Sequence, residues 1–140
     1  MIIKFRKTHP DAVAPQRMTD GAAGYDLTAA THTWDYQFCH DIYGTGLSIE
    51  IPPGYVGLLY PRSSVYKAGL SLVNCVGVID SDYRGEVVLR FNTHNDNADA
   101  YAVGDRIGQL VVTRCKDIEW EQCEQLSDTT RGAGGFGSTT

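Results

Sequence analysis

Gly77-Val78-Ile79-Asp80-Ser81-Asp82-Tyr83-Arg84-Gly85-Glu86-Val87-Val88-Leu89-Arg90-Phe91-Asn92 runs from an apolar strand through a polar turn into a second, alternating strand. Neither half is long enough for a helix, and the turn residues Asp82 and Gly85 separate them. Working outward, the same texture recurs. Apolar alternation and β-branched runs predict strands over Ile2–Lys7, Tyr25–Ala29, Leu47–Ile51, Tyr55–Tyr60, Leu72–Ile79, Glu86–Asn92, Arg106–Arg114 and Ile118–Cys123. Breakers fall between them at Asp20-Gly21, Pro52-Pro53-Gly54, Asp82–Gly85, Asn95-Asp96-Asn97 and Gly104-Asp105. Ser63–Ala68 has room for one helical turn. The expectation is an all-β, jelly-roll-like barrel or sandwich of short strands.

A chain of 140 residues supports one domain with a sizeable core. The net charge of −5 offers no basic stripe for nucleic acid or an anionic membrane, so any phosphate contacts come from a few local arginines. No apolar run approaches a membrane span, and Met1-Ile2-Ile3-Lys4-Phe5-Arg6 lacks the apolar centre of a signal peptide. A soluble, intracellular (cytoplasmic) protein is expected. Cys39, Cys75, Cys115 and Cys123 form no C-x-x-C pair, and three of them lie in strand-like stretches where cysteine packs as a small hydrophobe. His32, Cys39, His40 and Asp41 match no zinc spacing, and their segment is expected to be a mobile surface loop.

Candidate chemistry sits in five places. Arg131-Gly132-Ala133-Gly134-Gly135-Phe136-Gly137-Ser138-Thr139-Thr140 combines glycines that let backbone N–H groups approach a phosphate, a guanidinium fork and an aromatic face for a base. Its implied ligand is a nucleotide; a disordered tail is the alternative. Although Gly132-x-Gly134-x-x-Gly137 has dinucleotide-fingerprint spacing, only three residues follow, too few for the required helix. The organisation expected is a body over 1–130 and a flexible glycine-rich arm over 131–140. Arg62-Ser63-Ser64 follows the strand Tyr55–Tyr60 and suits phosphate oxygens, with a helix cap as the alternative. Asp80 ends an apolar strand where a carboxylate can polarise a water, whereas Asp82 has the look of a turn residue. A β-turn without chemistry is the competing view. Asp26, within Gly21-Ala22-Ala23-Gly24-Tyr25-Asp26-Leu27-Thr28-Ala29, and Gln109, within Gly104-Asp105-Arg106-Ile107-Gly108-Gln109-Leu110, complete the set.

In this order the five segments resemble those of the trimeric, all-β deoxyuridine triphosphatase family, over about Asp20 to Thr140. The resemblance implies hydrolysis of dUTP to dUMP and pyrophosphate with Mg²⁺, limiting uracil in DNA and supplying dUMP for thymidylate synthesis. It implies Asp80 as the base for the attacking water and Asp26 as holding the metal through water. Arg62, Ser63, Ser64 and Gln109 would grip phosphate oxygens, with Arg131, Gly137, Ser138 and Thr139 closing from the tail. Asn74 and the backbone of Gly77, Val78 and Ile79 would meet the uracil, Tyr83 would exclude a 2′-hydroxyl, and Phe136 would stack on the base. A homotrimer would share each site, one subunit giving the Asp80 hairpin, a second Asp26, Arg62 and Gln109, a third the tail.

Two positions depart from the family pattern. Gly108 stands where alanine is more common, with an expected effect only on strand stiffness. Thr31–Tyr43 replaces a proline-glycine turn, and its aromatics suit a regulatory protein partner or packing on the sheet. A related deoxycytidine triphosphate deaminase would need a glutamate ten residues after Asp80, where this chain has Arg90. A regulatory nucleotide switch would use the same five segments without requiring turnover, whereas a ligand-free structural jelly roll would leave them unexplained.

Overall fold

A computed structural model describes residues 1–94 and 100–137. The Asn95-Asp96-Asn97 breaker lies outside the described residues. Nine strands form: β1 Lys4–Lys7, β2 Tyr25–Thr28, β3 Thr31–Asp35, β4 His40–Glu50, β5 Tyr55–Pro61, β6 Leu70–Leu72, β7 Gly77–Ile79, β8 Glu86–Thr93 and β9 Arg106–Arg114. They make two antiparallel sheets, ordered β1-β4-β8-β6, with β3 also on β4, and β2-β9-β5-β7. The all-β expectation holds.

The core lies between the sheets, and β8 shows the alternation of side chains that fills it. In β8, Val87, Leu89 and Phe91 are buried while Val88 and Arg90 face out. Leu27, Leu59, Ile107 and Leu110 meet them from the second sheet, and each fully buried side chain of this kind contributes about 1.5–3 kcal/mol. Gly108 belongs to this packing. An alanine there would put its Cβ 2.5 Å from Leu89 Cδ2 and 3.0 Å from Tyr60 O, so the position answers to the core as well as to strand stiffness. Among the described residues no helix is long and apolar enough to cross a membrane.

Four local expectations are corrected. Thr31–Tyr43 is a hairpin and no mobile loop: β3 pairs the first half of β4 from Thr31↔Gly44 to Asp35↔His40. At its tip, Asp35 Oδ1 accepts the N–H groups of Gln37 and Phe38, and Cys39 takes the left-handed conformation. Those bonds, the Phe38 N–H foremost, together with the Arg90 guanidinium, hold the Asp35 carboxyl below the usual carboxylate range. Tyr43 anchors the hairpin inward, stacking on His32 with centroids 4.5 Å apart and meeting Phe91 and Tyr101 edge-on. His32 also pairs with buried Asp41 at 2.7 Å.

The run Leu72–Ile79 is split, because β6 ends at Leu72 and β7, in the other sheet, starts at Gly77. Cys75 at φ 59° turns the chain between them. Ile118–Cys123 forms no strand, since nothing among the described residues pairs with it, and Ile118 and Trp120 are exposed. All four cysteines are free and exposed, three at turns or beyond strand ends, so none packs as a core hydrophobe. The helical turn expected in Ser63–Ala68 is a 3-10 turn, Val65–Ala68, closed by Gly69 at φ 62°.

Tyr43 yields a pH prediction. Burial, with the Asp41 charge adding to it, pushes its phenol up to about 12. A folded-state value above the ordinary 10 gives stability that is complete below pH 10 and lost as pH rises towards 12. Among the described residues its buried hydroxyl has no hydrogen-bond partner. Tyr43→Phe should therefore match or exceed the parent's urea midpoint at pH 7, and the gap should widen between pH 10 and 12. Parallel pH profiles would assign the alkaline loss elsewhere.

Candidate active site

One end of the second sheet gathers the phosphate-type residues. Asp26 on β2 lies opposite Gln109 on β9, which lies opposite Tyr60 on β5, and Arg62-Ser63-Ser64 follow as β5 ends. Gly24 makes room for this, since a Cβ there would come 3.1 Å from Gln109 Oε1. Arg106 ties the group together. Its Nη1 donates to Asp26 Oδ2 at 2.8 Å, and its carbonyl accepts from Arg62 Nη1 at 3.3 Å. Asp26 is buried and Arg62 half-buried, so a carboxylate and two guanidiniums are held at one sheet end. Arg106 had no role assigned from sequence. Its signal was the Gly104-Asp105 turn, which starts β9 at the residue able to reach Asp26.

The Asp80 hairpin is a second cluster. Tyr83 N donates to Asp80 O at 3.2 Å, and Arg84 Nη1 donates to Ser81 O and Tyr83 O at 2.7 and 2.9 Å, bracing the turn from within. Asp80 is exposed and borders two cavities. One, about 490 Å³, is lined by Val78, Ile79, Asp80, Tyr83, Glu86 and Arg90 among others. The other, about 460 Å³, lies towards Gly54, Tyr55 and Asp117. Gly77 is buried, and a Cβ on it would meet Leu59 at 3.1 Å and Asn74 Nδ2 at 3.3 Å. The Asn74 amide thus sits beside Gly77, where β7 begins.

Antiparallel register keeps the two clusters apart. Gly57 pairs with Ile79, so Asp80 falls one residue further, at the level of Val56. Arg62 is six residues along β5 from Val56, which at strand rise is about 20 Å. Asp26, level with Tyr60 on the strand beyond β9, is similarly remote. Within one chain, Arg62 and Asp80 therefore stand at opposite ends of the sheet.

The tail joins neither cluster. Its described hydrogen bonds are internal, with Arg131 Nε donating to Gly134 O and Gly132 N to Thr129. Phe136 is fully exposed at φ 52°. Ser138 and Thr139 lie outside the described residues.

For a divalent cation, the described residues contain no group of three His, Cys, Asp or Glu side chains that would ligate it directly. Asp26, with one oxygen engaged by Arg106, suits contact through water, the mode preferred by a small cation that keeps part of its hydration shell. The rival deaminase chemistry finds no support at Arg90, whose Nη1 is bound to Asp35 at 3.1 Å.

Comparison with known proteins identifies the family. A family described as dUTPase matches residues 11–140. The chain is 42% identical over 139 residues to the deoxyuridine 5′-triphosphate nucleotidohydrolase of Rhodococcus erythropolis, covering 98% of this chain and 85% of that one. It is 41% identical over 139 residues to the protein of that name from Corynebacterium glutamicum, covering 98% and 93%. Among solved structures, the dUTPase of Staphylococcus bacteriophage 80alpha with dUpNHpp superposes with a TM-score of 0.83 at 27% identity, covering 99% of this chain and 98% of that one. The family match over residues 11–140, with relatives more than 40% identical along nearly the whole chain, shows that the chain belongs to the dUTPase family.

Proposed function

We propose that the chain hydrolyses dUTP to dUMP and pyrophosphate in a homotrimer whose sites each draw on three subunits. The observation that carries this reading is the separation of Asp80 from the Arg62 cluster, with an uncovered tail as the third part. The exposed Ile118 and Trp120 before that tail support association, since such side chains gain by burial against another copy. The relatives' name and the dUpNHpp bound by the phage enzyme support the substrate.

In the proposed reaction Asp80 takes a proton from a water as its oxygen bonds to the α-phosphorus. The bond from that phosphorus to the bridging oxygen breaks, and pyrophosphate leaves with the electron pair. Asp80 is positioned for this by the Tyr83 N–H bond to its carbonyl and by the Arg84 braces across the turn. Arg62, Ser63, Ser64 and Gln109 of a second subunit align the phosphates, and alignment with charge neutralisation accounts for most phosphoryl-transfer catalysis. Asp26 would hold Mg²⁺ through water, and the ion would supply further neutralisation of the triphosphate. Asn74 and the Gly77–Ile79 backbone receive the uracil, Tyr83 lies against the deoxyribose, and Arg131, Phe136, Gly137, Ser138 and Thr139 close from a third subunit.

A second role rests on the β3–β4 hairpin, where Trp34, Tyr36 and Phe38 are all exposed at the tip. We place a regulatory protein contact there, separable from hydrolysis.

Asp80→Asn should lower turnover by about 10²–10⁴-fold with little loss of dUTP binding, read by pyrophosphate release. Truncation before Arg131 should leave a folded trimer of weak activity. Co-refolding these two impaired chains should raise activity in mixed trimers well above either parent, since some sites then combine a sound Asp80 with a complete tail. No rescue in verified mixed trimers would end the shared-site model. Tyr83→Ala should raise kcat/KM for UTP relative to dUTP, because a steric exclusion is removed; an unchanged ratio would move sugar discrimination to another residue.

A further inference from the structure

Glu86 stands just beyond the Asp80 turn, and no role in the reaction has been given to it. Its main chain and its side chain each hold something different. The main-chain carbonyl accepts the Tyr83 hydroxyl at 3.0 Å. The ring folds back over Gly85 to make this bond, and a Cβ on Gly85 would overlap the Tyr83 Oη, Cζ and Cε2 atoms. Glycine at 85 is thus a condition for the ring's placement. The carboxylate points the other way, and its Oε1 accepts the Gly46 N–H at 2.7 Å.

Gly46 is the centre of a bulge. Pairing between β4 and β8 jumps from Gly44↔Val88 to Ser48↔Glu86, so β4 spends two more residues than its partner. Gly46 takes φ 64°, and Thr45 Oγ1 donates to Val87 O at 2.7 Å. The bulge is packed all round: a Cβ on Gly46 would lie 2.7 Å from His9 Cβ and 2.8 Å from Ala12 Cβ. A Cβ on Gly44 would lie 2.5 Å from both Glu86 Oε1 and Thr31 Oγ1, so the carboxylate fills a seat kept open by glycine. Bulges re-aim the strand they interrupt, and here two glycines and one carboxylate fix where β8 begins. Without the acceptor, the Gly46 N–H would be left unpaired inside a packed corner.

We infer that Glu86 is a positioning residue for sugar discrimination, clamping the β4 bulge through its carboxylate while its carbonyl sets the Tyr83 ring. The inference rests on the reading of Tyr83 as the group that excludes a 2′-hydroxyl. Removing the clamp frees the start of β8, tilts the carbonyl and lets the ring move off the sugar.

The test compares steady-state hydrolysis of dUTP and UTP by trimers of Glu86→Ala, Glu86→Gln, Tyr83→Phe and Tyr83→Ala. Glu86→Ala and Tyr83→Phe should each raise the UTP:dUTP ratio of kcat/KM by about five- to tenfold, the change expected for one lost hydrogen bond, chiefly through a lower KM for UTP. Glu86→Gln keeps an oxygen for the Gly46 N–H and should stay within about twofold of the parent, a rescue that general destabilisation would not give. An unchanged ratio in folded Glu86→Ala trimers overturns the inference, as does a Gln variant as altered as the Ala variant. Should Glu86→Ala fail to assemble, Glu86→Asp, whose shorter side chain withdraws the acceptor from the Gly46 N–H while keeping the charge, takes its place with the same expected rise, and Tyr83→Phe tests the carbonyl end of the clamp with the core untouched. If Tyr83→Ala shifts the ratio and these variants do not, the clamp fails while the role of Tyr83 stands; if Tyr83→Ala is also without effect, both fall.

Discussion

Antiparallel register in the β2-β9-β5-β7 sheet is the constraint on which the functional organisation depends. Backbone hydrogen bonds fix Ile79 opposite Gly57 and Gln109 opposite Tyr60, and a slip of one residue would turn every core side chain outward. Asp80 and the Arg62 cluster are therefore placed at opposite ends of β5 by the same interactions that bury Leu59 and Leu110. Stability of the fold and the separation of the two clusters have one cause.

The same economy is visible in the charges. A net −5 chain that binds a triphosphate needs its few cations well placed. Arg106 spends its charge on Asp26 while its carbonyl steadies Arg62, so one residue both satisfies a buried carboxylate and presents a guanidinium to the site. Arg84 lies too close to its own turn to serve a ligand and instead caps two carbonyls beside Asp80. Arg90 is held by Asp35 of the β3–β4 hairpin, which links the departure from the family pattern to the outer face of β8.

Most of the architecture was legible in local sequence. Alternation in Glu86–Asn92 and Arg106–Arg114, with Gly, Pro and Asp breakers between runs, identified strands β8 and β9 nearly to the residue, because period-2 burial writes itself directly into residue type. Thr31–Tyr43 was missed because its aromatics and histidines alternate weakly, and its stability comes from distant Phe91 and Tyr101 against Tyr43. The break inside Leu72–Ile79 was hidden because the apolar run continues through residues that belong to different sheets. Ile118–Cys123 carried a strand's alternation with no strand beside it among the described residues to pair with, and composition is blind to that.

The sequence by itself determined the residue types of the site, since Asp80, Asp26, Arg62, Gln109 and the glycine-rich tail stand in motifs whose local chemistry is contained within a few neighbours. Tertiary structure alone decided which of these meet. Arg106 on Asp26, the Tyr83 hydroxyl on the Glu86 carbonyl, and the Glu86 carboxylate on Gly46 are set by strand register, turn geometry and a bulge. The contacts made across strands depend on pairing partners far apart in the chain, and no local pattern of residues encodes that distance.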